Sequence, residues 1–386
     1  MKHRTVTSKK SIVPRSQPRT RTAPIRYAVV GLGHIAQVAV LPAFAHAKQN
    51  SQLTALVSDN PEKLKTLGDR YQVQHRYSYA EYRECLRQGH IDAVYLAIPN
   101  HLHCDYTLQA ARAGIHVLCE KPMAITVQEC RRMIRATEQA RVKLMIAYRL
   151  HFEAANMETV QLAQSGRLGR LRVFNSLFTM QVRADNIRTK QQFGGGSLYD
   201  IGVYCINAAR YVFQMNPTKV SAVSVRGTDR RFREVDEMTA AHLTFPDDRL
   251  ATFLCSFGAA DASAYEVIGT EGRVRLDAAY EYVGPHNQSK VINGKTTSSP
   301  YKAGDQFASE LLYFADCIQR NVEPEPSGLE GLIDVAIIEA LYRSAKVGRP
   351  IALSLPRKKR WPNISQVIRR PPVQKPKEIR ALSPSQ

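Results

Sequence analysis

Long apolar runs are missing from this 386-residue sequence. The longest, such as AVYLAIP at 93–99, have only the length of a strand. None approaches the roughly 18 consecutive apolar residues of a membrane span, so no membrane partner is expected. Paired cysteines are missing too: the seven are scattered, with no CxxC among them, which suits reduced thiols in a cytoplasmic enzyme better than a disulfide framework. The first residues lack the apolar h-region of a secretory signal; their Arg, Ser and Thr without acid leave a transit peptide as the lesser alternative. Acids are almost absent from both ends. Residues 1–26 hold eight Lys or Arg and no acid, and residues 357–386 hold nine against Glu378 alone. Sixteen of the net +20 charges therefore sit at the ends, and the body between them is nearly neutral. A basic body would have argued for a nucleic-acid footprint. Basic ends argue instead for solvated, disordered tails at 1–24 and 356–386, and for no specific nucleic-acid partner.

What is present is ordinary for a globular protein: 44% apolar and 23% charged residues, in a length that suits two domains. From Ile25 the pattern becomes strand, turn, helix, repeatedly. Strands are predicted at Ile25–Val30, Leu53–Val57, Ala93–Ile98, His116–Cys119 and Lys143–Ala147. Helices are predicted at about Ile35–Ala47, from Pro61, at Asp105–Ala113 and at Val127–Arg141. Such alternation implies a doubly wound parallel sheet over 25–150. After Tyr148 the rhythm changes. A helix at Glu153–Gln164, a strand at Leu171–Met180 and a helix at Leu198–Phe213 precede four or five short runs between Lys219 and Asp277. These are joined by tight turns, which suggests a mainly antiparallel sheet in an α+β domain over 151–355. Residues 284–304, rich in Gly, Ser and Asn, are expected to be loop. Helices at Gln306–Gln319 and Gly331–Val347 close the fold, and no internal repeat is found.

Gly31-x-Gly33-x-x-Ala36 follows a predicted strand and opens a helix, the context in which glycines admit a pyrophosphate to a helix N-terminus. At the end of the second strand an acid would favour NAD. Here stand Val57-Ser58-Asp59, then Lys63. Ser58 and Lys63 suit a 2′-phosphate, which favours NADP over NAD. An inward-pointing Asp59 would argue the other way, and Asp59 or Asn60 could simply cap the next helix. Glu120-Lys121-Pro122 falls at a strand's C-terminal end, where ligands bind in open α/β sheets. A lysine there favours a developing alkoxide and lowers the pKa of a nearby phenol; the plain alternative is a surface lysine paired with Glu120. Asp200-x-x-x-Tyr204 puts both side chains on one helix face. A tyrosine beside a lysine can exchange the alcohol proton, while Ser197-x-x-Asp200 also reads as a capping box around a buried tyrosine. His101, His103 and Cys104 match no zinc spacing, so no metal is expected; Asn100 and His103 suit the cofactor ribose or the substrate.

Together these motifs resemble the glucose-fructose oxidoreductase / inositol dehydrogenase (Gfo/Idh/MocA) family over about residues 25–352. The resemblance rests on Gly31-Leu32-Gly33-His34-Ile35-Ala36, Ile98-Pro99-Asn100 with His103, Cys119-Glu120-Lys121-Pro122-Met123-Ala124, and the run from Gly194-Gly195-Gly196 through Asp200 to Tyr204. It implies a Rossmann domain followed by a substrate domain. It implies that Lys121, Asp200 and Tyr204 form the catalytic group and that the Lys121–Pro122 peptide is cis. It also implies a cofactor site drawn from Gly31, Gly33, His34, Ile35, Ser58, Lys63, Pro99, Asn100, His103, Glu120, Lys121 and Arg149. The expected activity is NADP-dependent hydride transfer (NAD being possible) with a sugar or polyol, in a homodimer or homotetramer. Tyr204 and Tyr148-Arg149-Leu150-His151 resemble the glucose-fructose oxidoreductase branch, whereas the inositol dehydrogenases carry His at the tyrosine's position. Three features depart from that branch: no secretory signal, no tryptophan in Asn186-Ile187-Arg188, and a basic C-terminal extension without a counterpart. The alternative is a non-catalytic NAD(P)-binding regulator on the same fold.

Overall fold

The computed structural model describes residues 23–385. Residues 1–22 lie outside the described residues, and with them nearly all of the N-terminal tail expected to be disordered. The first half alternates as the sequence implies. β1 (Ile25–Val30) leads through the glycines into a π-helical turn at Ala36–Val40 and α1 (Leu41–Ala43), which ends short of the predicted Ala47. There follow β2 (Ser51–Val57), α2 (Pro61–Arg70), β3 (His75–Tyr77), α3 (Tyr82–Arg87), β4 (Ala93–Leu96), α4 (His103–Arg112), β5 (His116–Cys119), α5 (Val127–Gln139) and β6 (Leu144–Ile146). All six strands pair in parallel, in the order β3-β2-β1-β4-β5-β6. Every residue of β4 is buried, as expected of a strand covered by helices on both faces. Because the strand order reverses about β1, the C-terminal ends of β1 and β4 splay apart into a crevice.

The second half holds α6 (Ala154–Gln164), β7 (Leu171–Gln181), a π-helical turn at Leu198–Gly202 continuing as α7 (Val203–Phe213), and β8 (Lys219–Val225). β9 (Met238–Phe245), β10 (Arg249–Ser256), β11 (Gly258–Gly269) and β12 (Gly272–Asp277) complete the runs read from the sequence. The loop expected at 284–304 is instead a hairpin, β13 (His286–Ile292) and β14 (Lys295–Tyr301). Its turn is Asn293-Gly294, with φ of 51° and 73°, the left-handed pair that a two-residue hairpin requires. The exposed Lys, Thr and Ser of β14 hide that strand from a hydrophobic reading. Then come α8 (Gln306–Gln319), α9 (Gly328–Val347) and the short β15 (Ile351–Ala352). The nine strands run β14-β13-β12-β11-β7-β10-β9-β8-β15, antiparallel except for β7 with β10.

Although α8 follows the second sheet in sequence, it packs on the first. Its Phe307, Leu311 and Phe314 are buried with Tyr27, Val29 and Leu56, each such side chain contributing roughly 2 kcal/mol. The C-terminal expectation also needs correction. Residues 356–385 lie along the body rather than as a solvated tail, because their cations meet the body's acids. Lys358 Nζ donates to Glu325 at 2.7 Å and to Glu330, Arg369 pairs with Glu158 at 3.2 Å, and Arg380 pairs with Glu62. Lys358 thereby enters a buried cluster in which Arg210, fully enclosed, holds Glu330 at 3.0 Å and Asp334 at 2.5 Å. Trp361 lies over both cations, 4.6 Å from Lys358 Nζ and 5.7 Å from the Arg210 guanidinium. A charge count along the sequence cannot see that acids line this path. Among the described residues, no helix is long and apolar enough to cross a membrane.

Candidate active site

The C-terminal ends of β1, β2, β4, β5 and β6 face the inner side of β7 across a cleft of about 490 Å³. At one end the chain turns at Gly31, whose φ of +92° and whose distance from Ala97 forbid a side chain: a Cβ would stand 2.4 Å from the Ala97 carbonyl oxygen. Gly33 has nothing within 4 Å of where its Cβ would be, so its backbone is open to the cleft. His34 and Ile35 line the same wall. Ser58 and Lys63 line the cleft beyond β2, and partial burial lowers the Lys63 pKa. Asp59 is turned away, accepting the Tyr79 N–H at 2.7 Å, and Asn60 caps α2 by accepting the Lys63 N–H at 2.9 Å. A hydroxyl and an ammonium without a competing carboxylate, beside an open glycine turn, fit an NADP-type dinucleotide.

Pro99 and Asn100 line the middle of the cleft, and Asn100 Nδ2 donates to the Gly194 carbonyl at 2.9 Å. His103, expected at the cofactor, is not there. It is fully buried beneath the site, its ring nitrogens 2.9 Å from the Pro122 carbonyl and 3.0 Å from the Ile98 carbonyl. Burial drives its pKa down to about 4, and the ring braces the loops after β4 and β5. Its place in the helix that opens at residue 103 turns it inward, which position in the sequence alone did not show.

At the other end the two halves of the chain meet. Lys121, after β5 and before a cis peptide to Pro122, donates to the Asp200 carbonyl at 2.8 Å and stands 3.3 Å from its carboxylate. Its Nζ lies 4.7 Å from the centre of the Tyr204 ring. Burial works against the charge on Lys121, but the facing Tyr204, Asp200 and Glu120 outweigh it and the pKa is raised. Asp200 responds in reverse. Burial would raise its pKa, yet Arg188 at 2.6 Å and Lys121 bring it down to about 2. Ser197 makes no capping bond, so the capping-box alternative is not the one adopted. Burial pushes Glu120 upward, and its carboxyl accepts the Tyr95 hydroxyl at 2.8 Å.

Arg149 reaches the Tyr204 hydroxyl, with Nη2 at 3.2 Å, and is itself held by Gln306 and by the Tyr280 carbonyl at 2.5 Å. The phenol thus lies between two cations. Arg188, Phe178, Tyr280 and Tyr282 also line this end, and sequence reasoning assigned none of them. Arg188 stands just before the triple glycine, and that adjacency was the available signal.

The arrangement matches known proteins. The model for the oxidoreductase family with an NAD-binding Rossmann fold (GFO/IDH/MocA) matches residues 25–148, and that for the GFO/IDH/MocA C-terminal domain matches 157–275. The NADP(+) D-xylose 1-dehydrogenase of Haloarcula marismortui is 31% identical over 342 residues, 86% of this chain and 93% of that enzyme. The dTDP-3,4-didehydro-2,6-dideoxy-alpha-D-glucose 3-reductase of Saccharopolyspora spinosa is 28% identical, covering 84% and 98%. A crystal structure of aldose-aldose oxidoreductase from Caulobacter crescentus, complexed with glycerol, is 38% identical, with a TM-score of 0.82 over 86% of this chain and 100% of that one.

Proposed function

The chain belongs to the Gfo/Idh/MocA family of oxidoreductases, and from that premise we propose that it is an NADP-dependent enzyme acting at the anomeric carbon of a free aldose. The aldose follows the names of the similar D-xylose 1-dehydrogenase and aldose-aldose oxidoreductase, and one observation carries the oxidoreductase reading. Lys121 from the Rossmann half and Asp200 and Tyr204 from the other converge on one cleft, with Lys121 Nζ 3.3 Å from the Asp200 carboxylate and 4.7 Å from the Tyr204 ring centre. Gly31, Gly33, Ser58 and Lys63 would hold the dinucleotide, and its nicotinamide would supply hydride transfer at the sugar's anomeric carbon, between aldose and lactone. Tyr204 exchanges the proton of the sugar hydroxyl. Lys121 and Arg149 set fixed positive charge where negative charge develops on oxygen, in a site that needs no rearrangement to provide it. Asp200, tied to Lys121 and Arg188, fixes the ammonium and offers an acceptor to a neighbouring sugar hydroxyl.

The open face of the nine-stranded sheet supports a homodimer or homotetramer. Leu177 and Val223 are exposed there, in one cross-strand row with Leu254 and Ala240. The test of the activity is direct: the chain is mixed with NADP⁺ and a panel of pentoses and hexoses while nicotinamide absorbance is followed. Reduction with at least one aldose is expected. No turnover across the panel, in either direction, would sink the reading.

A further inference from the structure

The C-terminal segment, which the chemistry above leaves unused, reaches the cleft with residues 383–385. On the nucleotide side, Glu378 pairs with His34 at 2.8 Å, both side chains being mostly covered. Ile379 and Gln37 bond each other twice: the Ile379 N–H donates to Gln37 Oε1 at 2.7 Å, and Gln37 Nε2 donates to the Ile379 carbonyl at 2.9 Å. On the sugar side, Arg183 donates from its backbone to the Pro384 carbonyl at 2.8 Å and from Nε to the Ser385 carbonyl at 3.0 Å. Ser385 also bridges to Val182, just beyond the end of β7. Ser383, Pro384 and Ser385 line the same cavity as Lys121, Asp200 and Tyr204.

From these contacts we propose that residues 378–385 form a specificity strap. It walls the sugar end of the cleft, so that the site admits a free monosaccharide and rejects sugars that carry a second sugar or a nucleotide. The inference rests on the sugar oxidoreductase reading above and adds the substrate's size. The similar proteins include one named for a free aldose and one named for a dTDP-linked sugar, and the strap separates these two classes sterically. Both its ends are held through backbone atoms, so a larger ligand cannot displace it by rotating one side chain. Its serine hydroxyls, 3.2 Å apart, present polar groups to a small polyhydroxy ligand.

The test compares D-xylose with xylobiose and D-glucose with cellobiose as substrates with NADP⁺. Each disaccharide carries the same aldose at its reducing end. Three proteins are assayed: the full chain, a chain ending at Leu382, and Arg183→Ala, which loosens the strap without shortening it. In the full chain kcat/KM for the aldose should exceed that for its disaccharide by roughly a hundredfold, and both variants should cut that ratio roughly tenfold or more. Equal use of aldose and disaccharide by the full chain would overturn the strap. So would a ratio unmoved in both variants. Loss of aldose turnover in both variants would also overturn it, by assigning the segment to folding or to catalysis. If the full chain turned over no aldose at all, the sugar oxidoreductase reading would fall and take the strap with it.

Discussion

Tyr204→Phe removes a single oxygen from the site. The ring keeps its neighbours Phe178 and Tyr280, at centroid distances of 5.6 and 5.8 Å. The lost hydroxyl is bonded to Arg149 at 3.2 Å, and that guanidinium retains Gln306, the Tyr280 carbonyl and the Glu281 carbonyl. No buried charge is orphaned, so the stability cost should be about 1 kcal/mol or less. If the phenol exchanges the sugar's proton, its loss should slow turnover by roughly 10² to 10⁴. That corresponds to about 3–6 kcal/mol at the transition state, at roughly 1.4 kcal/mol per tenfold. Steady-state kinetics with the preferred aldose would measure kcat, nicotinamide fluorescence the NADPH affinity, and thermal melts the fold. Turnover should collapse, affinity should stay within about twofold, and the melting temperature should move by a few degrees at most. A variant that binds NADPH normally and keeps more than about a tenth of the wild-type kcat would refute proton exchange by Tyr204.

Two further substitutions probe the flanks of the site. Lys63→Ala should weaken NADP roughly 10- to 100-fold while leaving NAD nearly untouched, since one hydrogen bond to a charged group contributes about 1.5–3 kcal/mol; equal losses for the two cofactors, by titration, would take Lys63 away from the 2′-phosphate. Asp200 has a folded pKa of about 2, below the roughly 3.9 of an unfolded aspartate. Its ion cluster therefore contributes in full above about pH 4 and is lost as the pH falls through about 2, a difference of about 2.6 kcal/mol. Urea unfolding at pH 4, 3 and 2 should show Asp200→Asn with a shallower acid decline than the parent, and parallel declines would contradict the assigned pairing.

The legible features were those whose physics is local. A strand, a Gly31 turn and a helix start are written in neighbouring residues, and β1, α2, β5 and the helix containing Asp200 and Tyr204 fall close to where the sequence puts them. Residues contributed by distant segments were harder. Arg149 reaches the Tyr204 hydroxyl only because the second half of the chain folds back over the first, and Arg188 reaches Asp200 through an irregular turn of short 3-10 segments that carries no periodic signal. His103 sits in a motif of cleft residues, yet its side chain points beneath them. β14 carries no hydrophobic signal because its outward residues are polar, and neither does its pairing partner β13. The C-terminal segment reads as a tail for a related reason: the acids that hold it lie as far back as Glu62 and Glu158.

The Lys358 contact bears on what a truncation would do to the interior. Burial resists ionisation of Glu325 and Glu330, and the nearby cations, Lys358 among them, hold both carboxylates below their usual range. Without Lys358, the buried acids Glu325, Glu330 and Asp334 would keep Arg210 and His151 as neighbours but lose one cation of the cluster. Removing one partner of a buried pair costs about 3–5 kcal/mol. A segment that reads as a surface tail thus completes the charge balance of the interior, and a chain truncated before residue 358 would fold with that balance broken.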